Sequence, residues 1–246
     1  METKLKTIPR VRVGPLCLFN IDEVFIWLVN HFYTSTSSIE LENGFSFPIT
    51  PLTIHTILGI PLGGFPIQTG PTTETFDFIR QEINMETPSI EYPFSLVSEN
   101  MEEDKFCRVF LLIVLSVFIA LNSQGVASSK FDSALVNIEA VAKHDWCLFT
   151  ISYLVYSINK AQNENNNGKH IFPRGCKLAL VISYFEFLLA PGFSIPNSLP
   201  RLPLWTSNLS NSYMALDALH GSSNLFGRLP DSGGASKLPK PGHAVS

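Results

Sequence analysis

An uninterrupted apolar stretch limits what this 246-residue chain can fold into more than any other feature of its sequence. The stretch RVFLLIVLSVFIAL runs from Arg108 to Leu121, and twelve of its fourteen residues are apolar. As a helix its apolar part would extend about 20 Å at ~1.5 Å per residue, whereas a hydrocarbon layer is about 30 Å thick. We therefore predict a helix buried at the centre of a helical domain, with a membrane-associated protein as the alternative.

The composition agrees with a chain that has a large core and few surface charges. Charged residues make up 15% of the chain, against about 25% in an average soluble domain. The formal net charge is −4 and the pI is about 5.9, which argues against a general nucleic-acid-binding protein because such proteins need a net basic face. No secretory signal is visible at the N-terminus, so we expect an intracellular protein that is not secreted.

Local motifs predict a small β-hairpin followed by a well-capped helix. Asn43-Gly44 favours a turn, and a three-residue loop with a left-handed Gly44 would pair Ile39 with Phe47 on one face of the hairpin. Thr50-Pro51 predicts an N-cap and first helical residue. Gly59 predicts the end of that helix.

Apolar periodicity and polar tracts predict further helices and a loop along the chain. Helices are expected at residues 73–83, at residues 102–121 as the central apolar helix, and at residues 176–189. Asp145 is expected to cap another helix, which begins with an aromatic stripe. The tract QNENNNGKH, residues 162–170, is predicted to be a polar loop.

The predicted fold is mainly α, a single helical domain with a central apolar helix and a small β-hairpin. We assign residues 1–12 to a basic N-terminal arm and residues 13–227 to the helical domain. Residues 228–246 are rich in Pro, Gly and Ser and are predicted to be a disordered tail.

The search for catalytic chemistry finds no established motif. There is no GxSxG, no HExxH and no phosphate-binding loop, and the four cysteines lack zinc-site spacing. We therefore predict no catalytic residue, no cofactor and no metal ligand. One alternative is a cysteine hydrolase that uses Cys176 at the head of a helix, where thiol pKa values are lowered, with His144 and Asp145 or with His170.

Two segments are the candidates for binding a partner, because rigid turns and charged arms are where partners usually dock. One is the basic arm, which is otherwise a solvated terminus; its cations are Lys4, Lys6, Arg10 and Arg12. The other is a turn rich in proline and glycine; its residues are Pro61, Leu62, Gly63 and Gly64.

Three groups of short motifs occur in a fixed order along the chain. The first comprises FPIT at 47–50 and ILGIPLGG at 57–64. The second comprises the apolar helix, SSKF at 128–131, ALV at 134–136 and HDW at 144–146. The third comprises GC at 175–176 with the helix after it, LPR at 199–201 and LW at 204–205. Together they resemble the plant mobile domain, often labelled "aminotransferase-like", of transposon-associated plant proteins.

The resemblance covers roughly residues 5–230 and is nearest to the N-terminal region of proteins that elsewhere carry a C-terminal ubiquitin-like-protease domain. It implies a helical, non-catalytic, nuclear protein-interaction module linked to transposon silencing or genome maintenance. It also implies an unknown protein partner, in some relatives a phosphatase-like nuclear protein. Localisation is therefore expected to be nuclear, and otherwise cytoplasmic.

Overall fold

The computed structural model describes residues 21–41, 44, 46–70, 72–84, 89, 91–98, 101–120, 129–169, 171–219 and 225–230. The α-helices are α1 (Asp22–Asn30), α2 (Pro51–Leu58), α3 (Thr73–Ile83), α4 (Glu91–Leu96), α5 (Glu103–Val114), α6 (Ser133–Val136), α7 (Trp146–Asn166), α8 (Lys177–Phe187) and α9 (Ser207–Asp217). The strands are β1 (Phe32–Tyr33), β2 (Ser38–Glu40) and β3 (Ser46–Pro48). The prediction of a mainly α chain with a small hairpin is confirmed.

The chain divides into two compact units. Of the described residues, the first unit contains 61–153 and 174–176, with α3 to α6 and the start of α7. The second unit contains the residues up to 60, then 154–173, and those from 177 onward. An apolar pattern marks which segments are buried but does not tell which segments share a core, so the sequence could not separate the two units.

The hairpin in the second unit has the predicted register. Strand β2 pairs antiparallel with β3, Ile39 lies opposite Phe47, and both side chains are buried. Gly44 has φ +81°, as the three-residue loop requires. The third strand, β1, pairs with β2 and was not predicted because two residues carry no periodicity.

Helix α2 also begins and ends where the sequence indicated. The Thr50 hydroxyl accepts a hydrogen bond from the Thr53 backbone N–H at 3.2 Å, and the Thr53 hydroxyl accepts one from Thr50 N–H at 3.2 Å. This reciprocal cap satisfies two otherwise unpaired donors. At the other end Gly59 adopts φ +70° and its N–H donates to the His55 carbonyl at 2.8 Å.

The central apolar helix is present from Glu103 to Ile119, but its hydrogen-bond pattern changes part of the way along. The α-helix ends at Val114, and a π-helical turn follows over Leu115–Ile119, because Ala120 N–H donates to the carbonyl of Leu115, five residues back. Burial along it is periodic: Val109, Leu112, Leu115 and Ile119 are buried, whereas Ile113, Val114, Val117 and Phe118 are half-buried. Among the described residues, no helix combines the length and hydrophobicity that crossing a membrane requires.

Helix α7 corrects the predicted polar loop at residues 162–170. It continues through Asn166, so the first part of that tract is helical. The Gln162 side-chain amide donates to the Val29 carbonyl at 2.8 Å and to the Phe32 carbonyl at 3.0 Å. These tertiary hydrogen bonds hold a polar residue in the helix, and local composition could not reveal them.

The described structure also extends past the predicted start of the tail at residue 228. The buried Asp217 carboxylate accepts hydrogen bonds from Gly227 N–H at 3.2 Å, Leu229 N–H at 2.9 Å and the Tyr184 hydroxyl at 2.6 Å. Burial and the Asp217 charge raise the pKa of Tyr184, which keeps its hydroxyl a donor. The Pro230 carbonyl accepts from Leu189 N–H at 2.9 Å. Residues 231–246 lie outside the described range.

A buried ion pair fixes the second unit around α8. Arg201 is 0% exposed, and its guanidinium donates to both Glu186 oxygens, from Nε to Oε1 at 2.8 Å and from Nη2 to Oε2 at 2.9 Å. The Trp205 indole N–H donates to Glu186 Oε1 at 2.7 Å. Arg201 Nη1 donates to the carbonyls of Pro196 and Ser198. The charge of each partner is therefore compensated within the core.

The substitution Glu186→Gln should destabilise the protein strongly, because it keeps the side-chain volume and leaves the buried Arg201 cation without an anion. We expect a loss of about 3–5 kcal/mol in the free energy of unfolding. Urea titration followed by circular dichroism measures it. The control is Glu164→Gln, because Glu164 pairs with an exposed Lys169 at 3.2 Å and should contribute about 1 kcal/mol or less. Equal losses in the two variants would contradict the expectation.

Candidate functional site

The predicted turn places large apolar side chains in solvent. We call residues 61–66 the turn segment; it belongs to the first unit. Leu62 is 43% exposed and Phe65 is 67% exposed, and the glycines between them are exposed as well. Single exposed apolar side chains are common on folded proteins, whereas exposed apolar side chains that lie together commonly mark an interaction site. The turn segment is therefore the candidate site.

Backbone hydrogen bonds attach the turn segment to residues 143–147. Phe65 N–H donates to the Lys143 carbonyl at 2.8 Å, and Asp145 N–H donates to the Phe65 carbonyl at 2.8 Å. These two bonds form a parallel bridge. Cys147 N–H donates to the Pro61 carbonyl at 3.2 Å, so the segment is held at both ends.

Two glycines permit this close attachment. Gly63 has φ +78° and Gly64 has φ +108°, values that other residues rarely adopt. A Cβ atom on Gly64 would lie 2.1 Å from the carbonyl oxygen of Lys143, whereas a Cβ on Gly63 would meet nothing within 4 Å. Position 64 therefore requires glycine both for its backbone conformation and for the close contact with Lys143. Position 63 requires glycine for its backbone conformation alone.

The residues to which the turn segment is attached are themselves firmly placed. Asp145 caps α7 as predicted, since its carboxylate accepts from Leu148 N–H at 2.8 Å. The Trp146 indole N–H donates to the Val141 carbonyl at 2.7 Å, and its ring packs edge-on against Phe149 with centroids 6.2 Å apart. Trp146 is 4% exposed, as a core residue should be. The residues that bind the turn segment are thus held by packed aromatic side chains.

The chain after the turn segment is tied down within the same unit. Gly70 N–H donates to the Lys130 carbonyl at 2.9 Å, and the Ser133 hydroxyl donates to the Gln68 carbonyl at 2.8 Å. Anchors therefore flank the exposed residues on both sides. Such a segment presents Leu62 and Phe65 in one conformation.

The residues proposed for hydrolase chemistry are placed as follows. Cys176 is 0% exposed. The Asp145 carboxylate already caps α7, and His144 is half-buried with no hydrogen-bond partner for Nδ1 among the described residues. His170 lies outside the described residues. A substrate could not reach the Cys176 thiol in this conformation.

The sequence analysis did not predict a buried ion pair in the first unit. Arg80 Nη2 donates to Asp132 Oδ2 at 3.0 Å, and the guanidinium lies 5.2 Å from the ring centroid of Phe76. Burial raises the pKa of Asp132 although Arg80 opposes the shift. The pair joins α3 to the residue before α6, and 52 positions of sequence separation concealed it.

The sequence also missed part of the candidate site. Phe65 lies within the predicted turn of residues 61–66 but was not singled out, and it is the most exposed large side chain of the turn segment. The sequence signal for Phe65 is its position directly after Gly63-Gly64, between two prolines. Leu148, which is 45% exposed, follows residues that bind the turn segment, and no local pattern indicates this proximity.

The remaining predicted sites can be placed only in part. The basic arm, with Lys4, Lys6, Arg10 and Arg12, lies outside the described residues. Within the part of the chain that the structure describes, no group of three or more His, Cys, Asp or Glu side chains could hold a metal ion.

Comparison with known proteins gives one match. A family model described as "Domain of unknown function (DUF8566)" matches residues 17–181, more than half of the chain and including the whole turn segment. No curated protein matches the chain. No solved structure matches it.

The substitution Gly64→Ala should loosen the turn segment more than Gly63→Ala. Both place a side chain at positive φ, which costs about 1–2 kcal/mol. Only Gly64→Ala also forces a Cβ against the Lys143 carbonyl, which adds about 1–3 kcal/mol unless the bridge opens. Hydrogen exchange should be faster at the Phe65 and Asp145 amides in Gly64→Ala. Similar exchange at both amides in the two variants would show that the contact with Lys143 does not hold the segment.

Proposed function

We propose that this chain, which belongs to the family described as "Domain of unknown function (DUF8566)", is a non-catalytic protein-interaction module. The observation that carries the proposal is the turn segment, with two large apolar side chains held in solvent by a firmly bonded backbone. A surface that is already ordered loses little conformational entropy when a partner binds.

The chemistry of the turn segment suits the centre of a protein interface. Aromatic side chains are enriched where interfaces are fully desolvated, and a few such residues supply most of the binding energy. Phe65 can bury its ring against a partner while its own N–H and carbonyl remain bonded to residues 143–145. Binding would therefore leave no backbone group of Phe65 unpaired.

The cellular setting of the proposal comes from the resemblance to the plant mobile domain. On that basis the module acts in the nucleus, in a transposon-derived or host protein linked to transposon silencing or genome maintenance. A phosphatase-like nuclear protein is one candidate partner. The motif ILGIPLGG, which carries part of the resemblance, ends in the first four residues of the turn segment.

The alternative of a cysteine hydrolase draws no support from an observed geometry. Its nucleophile would be a fully buried thiol, and its proposed acid, Asp145, is occupied as a helix cap. The exposed apolar residues would have no role in such an enzyme. The interaction module accounts for them, and it is the function that the geometry favours.

The substitution Phe65→Asp should abolish partner binding and leave the fold intact. The side chain is 67% exposed, so the free energy of unfolding should change by about 0.5 kcal/mol or less. If Phe65 lies at the centre of the interface, affinity should fall by about 30-fold or more. The measurement is a pull-down from nuclease-treated plant nuclear extract with the full chain as bait, quantified by mass spectrometry. Leu62→Asp should behave in the same way.

The matched control is Phe172→Asp, because Phe172 is equally exposed, at 69%, and belongs to the second unit. A partner that binds the turn segment should be retained by Phe172→Asp and lost from Phe65→Asp. Equal recovery of every protein by the wild type and Phe65→Asp would contradict the proposal. Equal loss in both variants would indicate nonspecific attraction to exposed phenylalanines and would also contradict it.

A further inference from the structure

A pocket of about 260 Å³ opens in the second unit beside the Glu186–Arg201 pair. It is partly open to solvent, and its walls are mostly apolar; they include Phe185, Leu188, Leu189, Phe193, Ile195 and Tyr213. Ligand pockets in proteins are commonly about 300–1,000 Å³ and apolar with a few polar groups. This pocket is slightly smaller and suits a molecule with one ring and a short substituent.

Tyr213 supplies the polar group with unused hydrogen-bonding capacity. The residue is only 4% exposed, and its ring is held by Trp205, with centroids 4.8 Å apart, and by Phe185 and Phe193, each at 5.7 Å. Its hydroxyl makes no hydrogen bond with any described residue. A hydrogen bond from this hydroxyl to an acceptor on a bound molecule would contribute about 0.5–1.5 kcal/mol net.

The other polar group in the lining cannot fill that role. Glu186 accepts hydrogen bonds from Arg201 through both oxygens and from Trp205 through one. The pair of opposite charges leaves no uncompensated charge to attract an ion. Burial and the nearby Glu186 carboxylate raise the pKa of Tyr213, so its hydroxyl remains a neutral donor. An anionic ligand would lose hydration in this apolar pocket without gaining a free counter-charge.

We propose that this pocket binds a small, uncharged, mainly apolar molecule that carries one hydrogen-bond acceptor, such as a carbonyl oxygen, for the Tyr213 hydroxyl. The apolar part of the ligand replaces water against Leu188, Phe193 and Ile195, and the acceptor sets its orientation. The site is independent of the turn segment, so it goes beyond the proposed interaction function and neither depends on the other.

Three probes of nearly equal size separate the contributions of ring, acceptor and charge. Acetophenone has a ring and a neutral acceptor, ethylbenzene lacks the acceptor, and benzoate carries a charge. Each is titrated into the full chain, and the methyl NMR signals of Leu188, Leu189 and Ile195 are followed. Acetophenone should bind tightest, ethylbenzene about 3–10-fold more weakly, and benzoate weakest. Absence of a response at these methyls, or equal affinities, would overturn the proposal.

The substitution Tyr213→Phe tests the donor and keeps the ring. Acetophenone affinity should fall about 3–10-fold to the level of ethylbenzene, whose affinity should not change. Tyr156→Phe is the control, because it removes the hydroxyl of a tyrosine that is 62% exposed. The methyl spectrum of the unliganded variants verifies the fold. An unchanged preference for acetophenone in Tyr213→Phe would refute the role of the hydroxyl.

Discussion

The buried pairing of Arg201 with Glu186 is the constraint on which the second unit depends. A charge removed from water is tolerated only if hydrogen bonds replace its hydration, and the guanidinium has donors on all three of its nitrogens to satisfy. Glu186 on α8 satisfies two nitrogens, and the carbonyls of Pro196 and Ser198 satisfy the third. The irregular chain between α8 and α9 must therefore follow a path that points those carbonyls inward, and the Trp205 indole closes the network on the same carboxylate.

The two units attach their irregular segments by different means. In the second unit, the carboxylate of Asp217, at the end of α9, accepts hydrogen bonds from the backbone N–H groups of Gly227 and Leu229. A buried carboxylate that loses these donors is costly, so the attachment is cooperative. In the first unit, backbone hydrogen bonds attach the turn segment: Phe65 bonds with Lys143 and Asp145, and Pro61 bonds with Cys147. Backbone pairs depend little on side-chain identity, except where a Cβ would intrude, as at Gly64.

The sequence predicted those features whose causes are local. Helix α3 has the predicted bounds because its caps and apolar spacing lie within a dozen residues, and the hairpin register follows from Gly44. It failed where distant residues contribute: Gln162 lies in α7, and its side-chain amide donates to carbonyls about 130 positions away. The same distinction between local causes and tertiary contacts applies to the candidate site. Its turn chemistry is local and was predicted, whereas its attachment to residues 143–147 depends on tertiary contact and was not.

The exposure of Phe65 follows from the geometry of the backbone rather than from its hydrophobicity. Gly64 must face Lys143, since no Cβ fits there, and the N–H and carbonyl of residue 65 are both bonded to residues 143–145. With the backbone held in this way, the side chain at position 65 is 67% exposed. Because both backbone groups of residue 65 are already bonded, a polar side chain would fit the fold equally well and would not expose an apolar ring to water. Stability therefore does not require a phenylalanine here, whereas the interaction proposed above would make use of one.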